Sequence, residues 1–201
     1  MNDTSNLSQP VSHELLWDKF RAGDKEAFGK LALHYYRLLY NYGLNLNRDE
    51  EFISDCIQDL FLELWERRAF LSRTEYVKTY LLKALRNKIF KESARLKRFQ
   101  EPRHVPFEVG ADSSIESYIV LKEEEAAQIR QLNLVLDTLS KRQREIVYLR
   151  FYQGLEFEEI SHIMGLTRQS VANLLHRTLK KIKESWPIAL FISTFLLLSD
   201  R

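Results

Sequence analysis

"EEISHIMGLTRQSVANLLHRTLKKIK", residues 158–183, holds the most informative pattern in this chain. Two short amphipathic runs meet at Gly165, which can adopt the left-handed conformation of a tight turn, and Thr167 can cap the second run as a helix. That second run carries apolar side chains on one side and polar or basic side chains on the other. The pattern therefore predicts a helix-turn-helix that binds DNA.

The polar side of the second helix supplies the candidate DNA contacts. Arg can pair with guanine, and Gln or Asn with adenine, on the base edges of the major groove. Side chains near the helix start reach bases, whereas later cations more naturally contact phosphates. The candidate residues are Thr167, Arg168, Gln169, Ser170, Asn173, Arg177 and Lys181. An ordinary solvated surface helix is the alternative that this pattern leaves open.

Few helix breakers and a helical spacing of apolar residues predict an all-α protein. The 201 residues include four Pro and six Gly, which favours long helices over a turn-rich β fold. Two helical domains are expected, an N-terminal helix bundle and a C-terminal four-helix domain with the helix-turn-helix, joined by a flexible linker. Their expected bounds are 12–98 for the first domain, 99–117 for the linker, 118–186 for the second domain and 187–201 for an apolar C-terminal tail.

Local signals mark where several of these helices begin or end. Asp24 can cap the helix that follows it, and Thr74 is expected to open a helix in "EYVKTYLLKALRNKIFKESARLKR". Ser140 and Gln143 have the spacing of a capping box, in which each side chain accepts a hydrogen bond from the other residue's backbone. Gly154 is placed to end the helix that this box begins.

Charge is distributed in blocks along the chain, although the formal net charge is only +2. Residues 49–66 hold seven acids and no base, and residues 78–103 hold nine Lys or Arg against two acids. Residues 140–185 hold nine bases against five acids. One acidic block and two separate basic blocks indicate distinct partner surfaces, two of them for polyanions. Solvated helix faces are the alternative for any single block.

Three segments in this order resemble the sigma-70 family. "LDTLSKRQREIVYLRFYQGLEFEEISHIMGLTRQSVANLLHRTLKKIK" resembles its C-terminal promoter-binding domain, and "SDCIQDLFLELW" resembles the polymerase-binding helix of its N-terminal domain. "YLLKALRNKIFKESARLKR" resembles the adjoining helix that binds the promoter −10 element. Because the chain has just two such domains and a linker, it is most similar to the extracytoplasmic-function (ECF) group. The resemblance covers about residues 12–185.

The resemblance implies a transcription initiation factor that binds core RNA polymerase, through the β′ clamp helices and the β flap, and promoter DNA. It implies that the helix-turn-helix reads the −35 element and that the N-terminal domain binds the −10 element and aids promoter melting. The implied polymerase-binding residues are Asp55, Gln58, Asp59, Leu62 and Glu63. An anti-sigma factor, membrane-linked in the family's usual manner, is a further implied partner.

The −10 helix combines cations with interleaved aromatic residues, which suit phosphates and bases that have left the stack. The implied −10 contacts are Tyr80, Lys83, Arg86, Asn87, Lys88, Lys91, Arg95 and Arg98. Tyr80 stands where the family usually has Trp, a difference that keeps an aromatic side chain at this position. Tyr76 and Phe90 are also interleaved, and a place in the core is the alternative for all three aromatic residues.

Catalysis is not expected of this chain. It has no Ser/His/Asp set, no phosphate-cradling Gly loop and no metal-ligand spacing, so no catalytic residue, cofactor, metal or small-molecule substrate is predicted. A single Cys56 and the absence of a signal-peptide pattern predict a cytoplasmic protein. Two other classes stay open: a stand-alone helix-turn-helix regulator with an N-terminal dimerisation or sensing bundle, and a membrane-proximal interaction protein that uses the apolar tail.

Overall fold

The computed structural model describes residues 12–99 and 136–185, and these two ranges contain seven α-helices and no strand. The helices are α1 (His13–Arg21), α2 (Lys25–Leu46), α3 (Glu50–Glu66), α4 (Val77–Phe99), α5 (Lys141–Val147), α6 (Phe157–Met164) and α7 (Arg168–Ser185). The predicted all-α class is confirmed. Most of the expected linker, most of the first helix of the expected four-helix domain, and the apolar tail lie outside the described residues.

The described helices fall into two compact units. The first contains α1 to α3 and α4 as far as Ser93, together with Glu158–Leu166. The second contains the chain from Ala94 to Phe157, as far as it is described, and continues from Thr167. The domain bounds expected from the sequence, with changes at 98 and 118, stay predictions.

Aspartates cap the two helices that precede the basic helix. The Asp24 carboxylate accepts hydrogen bonds from the backbone N–H groups of Glu26 and Ala27 at 2.8 and 3.1 Å, which confirms the predicted cap of α2. Asp49 caps α3 in the same way by accepting from Phe52 N at 3.0 Å. Each cap satisfies a donor that would otherwise lack a helical partner, which is worth about 1 kcal/mol.

Helix α4 begins slightly later than the sequence indicates. The Thr74 hydroxyl accepts from Tyr76 N at 3.0 Å, so it closes a turn before the helix rather than capping it directly. The first helical bond runs from Tyr80 N to Tyr76 O at 2.9 Å, and α4 starts at Val77. A short hydroxyl side chain can bond to the backbone in either way, and the sequence does not distinguish the two.

The core of the first unit combines aromatic side chains of α1 with close packing of α2 against α3. Trp17 and Phe20 of α1 are each 1% exposed, and the Trp17 indole N–H donates to Ser72 O at 3.0 Å. Helices α2 and α3 approach closely at Gly43, where an added Cβ would lie 2.5 Å from Ile53 Cγ2. This packing fixes which side of α3 faces outward.

The second unit is organised around α5 and α7, which pack together. The Ser140 and Gln143 capping box is present, with bonds of 3.0 and 3.3 Å, which confirms that prediction. After α5 the chain makes a π-helical turn, Tyr148–Tyr152, which the sequence did not reveal. In this wider turn Gln153 N donates to Tyr148 O, and Gly154 follows with φ of +66°, the left-handed conformation expected of a helix end.

Candidate nucleic-acid and polymerase surfaces

The turn before α7 has the geometry that the sequence predicts. Gly165 has φ of +63°, and Leu166 N donates to Ser161 O at 3.0 Å. The Thr167 hydroxyl accepts from Ser170 N at 3.1 Å, so Thr167 caps α7. A left-handed glycine followed by a capped helix is the turn of a helix-turn-helix.

Helix α7 buries one narrow side and exposes the other. Val171, Leu175, Thr178 and Ile182 are buried, and the Thr178 hydroxyl is satisfied by donating to Leu174 O at 2.7 Å. Six of the seven predicted DNA contacts are exposed: Thr167, Arg168, Gln169, Ser170, Asn173 and Arg177. The structure therefore places these six on and beside the first three turns of one helix.

Two of the exposed amides in α7 are already aligned with each other. Gln169 Nε2 donates to Asn173 Oδ1 at 3.1 Å, one helical turn away. Arg177 Nε donates to the Asn173 backbone carbonyl at 3.3 Å. Such contacts restrict the side-chain rotamers, which lowers the entropy lost when the same groups meet a base pair.

Lys181 differs from the other α7 candidates. Its ammonium donates to Thr138 O at 2.6 Å, and the side chain is half-buried. The bond ties the last turns of α7 to the segment before α5, so Lys181 has a structural partner that the sequence pattern did not indicate. The exposed cation next to it along the chain is Lys180.

The exposed side of α3 carries all five predicted polymerase-binding residues. Ile53, Cys56, Ile57, Leu60 and Leu64 are buried, which leaves the opposite side to solvent. The residues on that side are Asp55, Gln58, Asp59, Leu62 and Glu63. Leu62 is 61% exposed among acids, so this side of α3 offers one apolar side chain within an acidic surface.

Five cations and amides form an exposed stripe along α4. They are Lys83, Asn87, Lys91, Arg95 and Arg98. Their spacing of three or four residues places them on one side of the helix, and the stripe extends about 22 Å at the helical rise. A line of cations of this length can follow several successive phosphates of a nucleic-acid strand.

The remaining α4 candidates lie beside this stripe. Arg86 is half-buried, with its guanidinium 4.6 Å from the ring centroid of Phe90, a cation–π distance. Phe90 is 47% and Tyr76 is 63% exposed, so neither belongs to the core. The Tyr80 ring packs edge-on against Trp17 with centroids 5.2 Å apart, and burial raises the pKa of its hydroxyl.

Lys88 is separated from the stripe. Its side chain is buried, with Nζ 2.7 Å from Glu63 Oε1 and 3.5 Å from Asp59 Oδ2. Burial alone would lower the pKa of Lys88, but the bonds and charges of Glu63 and Asp59 raise it overall. The ammonium therefore stays protonated between two carboxylates of the candidate polymerase surface. The sequence did not predict this arrangement because helical spacing in α4 carries no information about α3.

Three further features bear on other chemistry in the part of the chain that the structure describes. Residues 12–99 and 136–185 contain no group of three His, Cys, Asp or Glu side chains that could hold a metal ion. No described helix is both long and apolar enough to cross a membrane. Cys56 is buried, and burial raises the pKa of its thiol to about 11.

Two family models match the two parts of the chain that carry these surfaces. Sigma-70 region 2 matches residues 31–99, which include α3 and α4. Sigma-70, region 4 matches residues 135–184, which include α5 to α7. Together the two models account for more than half of the 201 residues.

Curated relatives agree with the family models. RNA polymerase sigma factor NccH of Alcaligenes xylosoxydans xylosoxydans is 25% identical over 183 residues, which cover 88% of this chain and 95% of that protein. The probable RNA polymerase sigma factor RfaY of Xanthomonas campestris pv. campestris is 25% identical over 178 residues, 85% of this chain and 42% of that protein.

Solved structures show the same fold. CnrH, solved in complex with the cytosolic domain of CnrY, has a TM-score of 0.59 at 18% identity and covers 86% of this chain and 96% of its own. The sigma factor RpoE of Bartonella quintana was solved in complex with the anti-sigma factor NepR. It has a TM-score of 0.62 at 19% identity, and the match covers 80% of this chain and 96% of the RpoE chain. Taken with the family models, these findings show that the chain belongs to the sigma-70 family, in its ECF group, and is a sigma factor that directs RNA polymerase to promoters.

Proposed function

We propose a division of this activity among three surfaces of the chain. The exposed side of α3 binds core polymerase, the stripe of α4 binds the −10 element, and the first turns of α7 read the −35 element. The observation that carries the proposal is the exposure of an acidic, leucine-containing side on α3 next in sequence to a basic, aromatic-containing side on α4. The acidic side of α3 suits a basic protein partner, and the basic side of α4 suits nucleic acid.

Polymerase binding is proposed to rest on Leu62 with the acids around it. Because Leu62 is 61% exposed, its entry into an apolar pocket would gain about 25 cal/mol per Å² of apolar surface removed from water. The carboxylates of Asp55, Asp59 and Glu63 make the surface negatively charged, which raises the rate of association with a basic partner. Basic residues of the polymerase β′ clamp helices are the proposed partner, as the family resemblance implies.

Promoter binding is proposed to use two contacts of different character. The α4 stripe, with Arg86, follows the phosphates of the −10 element, and Tyr76 and Phe90 offer ring faces to unstacked bases. In α7, Arg168, Gln169 and Asn173 read base edges, whereas Thr167, Ser170 and Arg177 contact the backbone. Lys88 and Lys181 are left out of the proposed DNA contacts because carboxylates and a backbone carbonyl already engage them.

We also propose an anti-sigma partner and a cytoplasmic site of action. The support is that RpoE, which has this fold, was solved with the anti-sigma factor NepR, and CnrH with the cytosolic domain of CnrY. A partner with a membrane-linked part is the form proposed here. Core polymerase and promoter DNA lie in the cytoplasm, where the proposed partners would be met. The protein is proposed to perform no reaction of its own, and the domain bounds expected from the sequence are retained.

Reconstituted transcription tests the proposed surfaces. The purified chain is mixed with core polymerase, and comigration and promoter-specific run-off transcript are measured for the wild type, Leu62→Ala and Arg168→Ala. We expect Leu62→Ala to weaken comigration and Arg168→Ala to leave comigration intact while reducing transcript from the selected promoter. If a variant that carries both Leu62→Ala and Asp55→Asn comigrates normally with core polymerase, α3 does not form the polymerase-binding surface.

A further inference from the structure

We propose that Lys88 is a positioning residue for polymerase binding and not a DNA contact. It lies on the basic helix α4, yet its ammonium is directed to Glu63 and Asp59 on α3. The inference rests on the proposed function of the α3 surface and adds a residue on a different helix to it. Lys88 acts through the two carboxylates and touches neither polymerase nor DNA.

The geometry favours a fixed pair over an occasional surface contact. The Lys88 side chain is 8% exposed, whereas the Glu63 and Asp59 side chains are 59% and 60% exposed. An exposed lysine samples many rotamers, but a buried stem leaves the ammonium few positions from which to donate. Glu63 is held at 2.7 Å, the length of a charge-assisted hydrogen bond, and Asp59 is at 3.5 Å.

The consequence for binding is pre-organisation. Each carboxylate has two oxygens, and Lys88 engages one oxygen of each. The Asp59 and Glu63 side chains are 60% and 59% exposed, so their remaining acceptor capacity is open to a partner that binds the side of α3 that carries Leu62. A partner that donates to these oxygens meets side chains whose rotamers are already restricted, so it loses less conformational entropy on binding.

The opposite arrangement, in which Lys88 leaves its partners to contact phosphate, is disfavoured by charge. Withdrawing Lys88 from both carboxylates would require a buried stem to rotate outward and would break a charge-assisted bond. Lys83 and Lys91 on the same helix are exposed, so they can contact phosphate without moving a buried side chain. Those two lysines are the natural phosphate contacts, and Lys88 is the link from α4 to α3.

Lys88→Met tests the proposal, with Lys83→Met as the matched change on the exposed stripe. Methionine fills a similar volume, and the two carboxylates that it leaves are exposed enough to be solvated, so the fold is expected to survive. We expect Lys88→Met to weaken core-polymerase binding, measured by fluorescence anisotropy of the full chain, by roughly tenfold, because the two carboxylates then lose their rotamer freedom only on binding. Circular dichroism melts check the fold of each variant.

Salt dependence separates the two roles of a lysine. The probe is a single-stranded oligonucleotide of mixed sequence, titrated at several salt concentrations. Loss of one phosphate contact lowers the slope of log K against log salt by about 0.7 for single strands. We expect that drop for Lys83→Met and an unchanged slope for Lys88→Met. A drop for Lys88→Met equal to that of Lys83→Met would overturn the proposal.

A mutant cycle shows whether Lys88 acts through its partners. In an Asp59→Asn/Glu63→Gln background, Lys88→Met should cause no further loss of polymerase affinity, because coupled residues are not additive. Lys88→Arg should keep most of the affinity, since a guanidinium can still donate to both carboxylates. A full, additive loss in that background, or a folded Lys88→Arg as weak as Lys88→Met, would contradict positioning.

The same measurements distinguish failure of the inference from failure of the proposed function. If Asp59→Asn/Glu63→Gln and Leu62→Ala weaken polymerase binding but Lys88→Met does not, the α3 surface stands and the role of Lys88 is wrong. If none of these changes weakens binding, the α3 surface itself is wrong, and the inference falls with it.

Discussion

Helices α4 and α7 are both basic and amphipathic, but they bury different amounts of their circumference. In α4 the buried side chains from Val77 to Ile89, Thr79 apart, span about 140° at 100° per residue. In α7 those from Val171 to Ile182 span about 60° on the same scale. The wide buried side of α4 therefore includes a position that carries a lysine. The narrow buried side of α7 includes no cation among the residues from Val171 to Ile182.

The difference explains why one lysine of α4, Lys88, is buried and has structural partners on α3. A cation that is carried into a buried side must be paired, because an isolated buried charge is costly. Lys88 meets this requirement with two carboxylates of α3. The first turns of α7 have no such requirement, and their polar side chains stay exposed. Burial within the wide side of α4 therefore separates Lys88 from the exposed contact residues.

Truncating a leucine in each helix gives the largest expected effect. Leu85 of α4 is fully buried, and Leu85→Ala should lower the free energy of unfolding by about 2–5 kcal/mol because a cavity is left in the core. Leu179 of α7 is half-buried at the edge of the second core, so Leu179→Ala should cost less. Urea unfolding followed by circular dichroism measures both changes. Equal losses for the two variants would mean that the Leu179 side chain contributes as much to its core as the fully buried Leu85 does.

Removing a base contact gives the next largest effect, and it affects specificity rather than folding. Arg168→Ala should reduce discrimination between matched and mutated −35 sites by about 1–3 kcal/mol if the side chain pairs with a base. The measurement is holoenzyme binding to a promoter selected from a randomised −35 library. Arg177→Ala is the control, because a phosphate contact should weaken binding to both sites alike. Unchanged discrimination would remove Arg168 from the reading set.

The sequence predicts local features of this molecule well because they depend on near neighbours in the chain. The Asp24 and Thr167 caps, the left-handed Gly165 and the exposed side of α3 all follow from spacing within one helix or turn. Lys88 and Lys181 could not be assigned in this way. Their partners, Glu63 and Thr138, lie 25 and 43 residues away along the chain, and helical periodicity says nothing about contacts at that separation.

The π-helical turn was missed for a related reason. Tyr148 and Tyr152 stack with ring centroids 4.9 Å apart, and Gln153 Nε2 donates to the Tyr148 hydroxyl at 2.9 Å. Aromatic residues four apart are compatible with an ordinary α-helix, so the sequence does not signal the wider turn. The ring stacking and the amide contact give the turn side-chain support that no single residue indicates.

The caps of the two helices provide a smaller test of the same comparison. Thr167→Ala removes the acceptor for Ser170 N and should cost about 0.5–2 kcal/mol of unfolding free energy. Thr74→Ala removes the hydroxyl that closes the turn before α4. Because α4 is stabilised by its wide buried side, this change should lower the free energy of unfolding by under about 0.5 kcal/mol. Urea unfolding of the two variants, side by side, gives the comparison. A larger loss for Thr74→Ala would show that α4 depends on its start more than its burial implies.

Single phosphate contacts give the smallest effect and compare the two helices directly. Lys91→Ala on the exposed α4 stripe should reduce the slope of log K against log salt by about one for a mixed-sequence duplex bound by holoenzyme. Lys181→Ala should leave that slope unchanged, because its ammonium already donates to Thr138 O at 2.6 Å. Titrations at several salt concentrations measure both. A reduced slope for Lys181→Ala would mean that the ammonium exchanges its carbonyl for a phosphate on DNA, and a partner within the chain would then be no guide to which lysines of α7 contact the promoter.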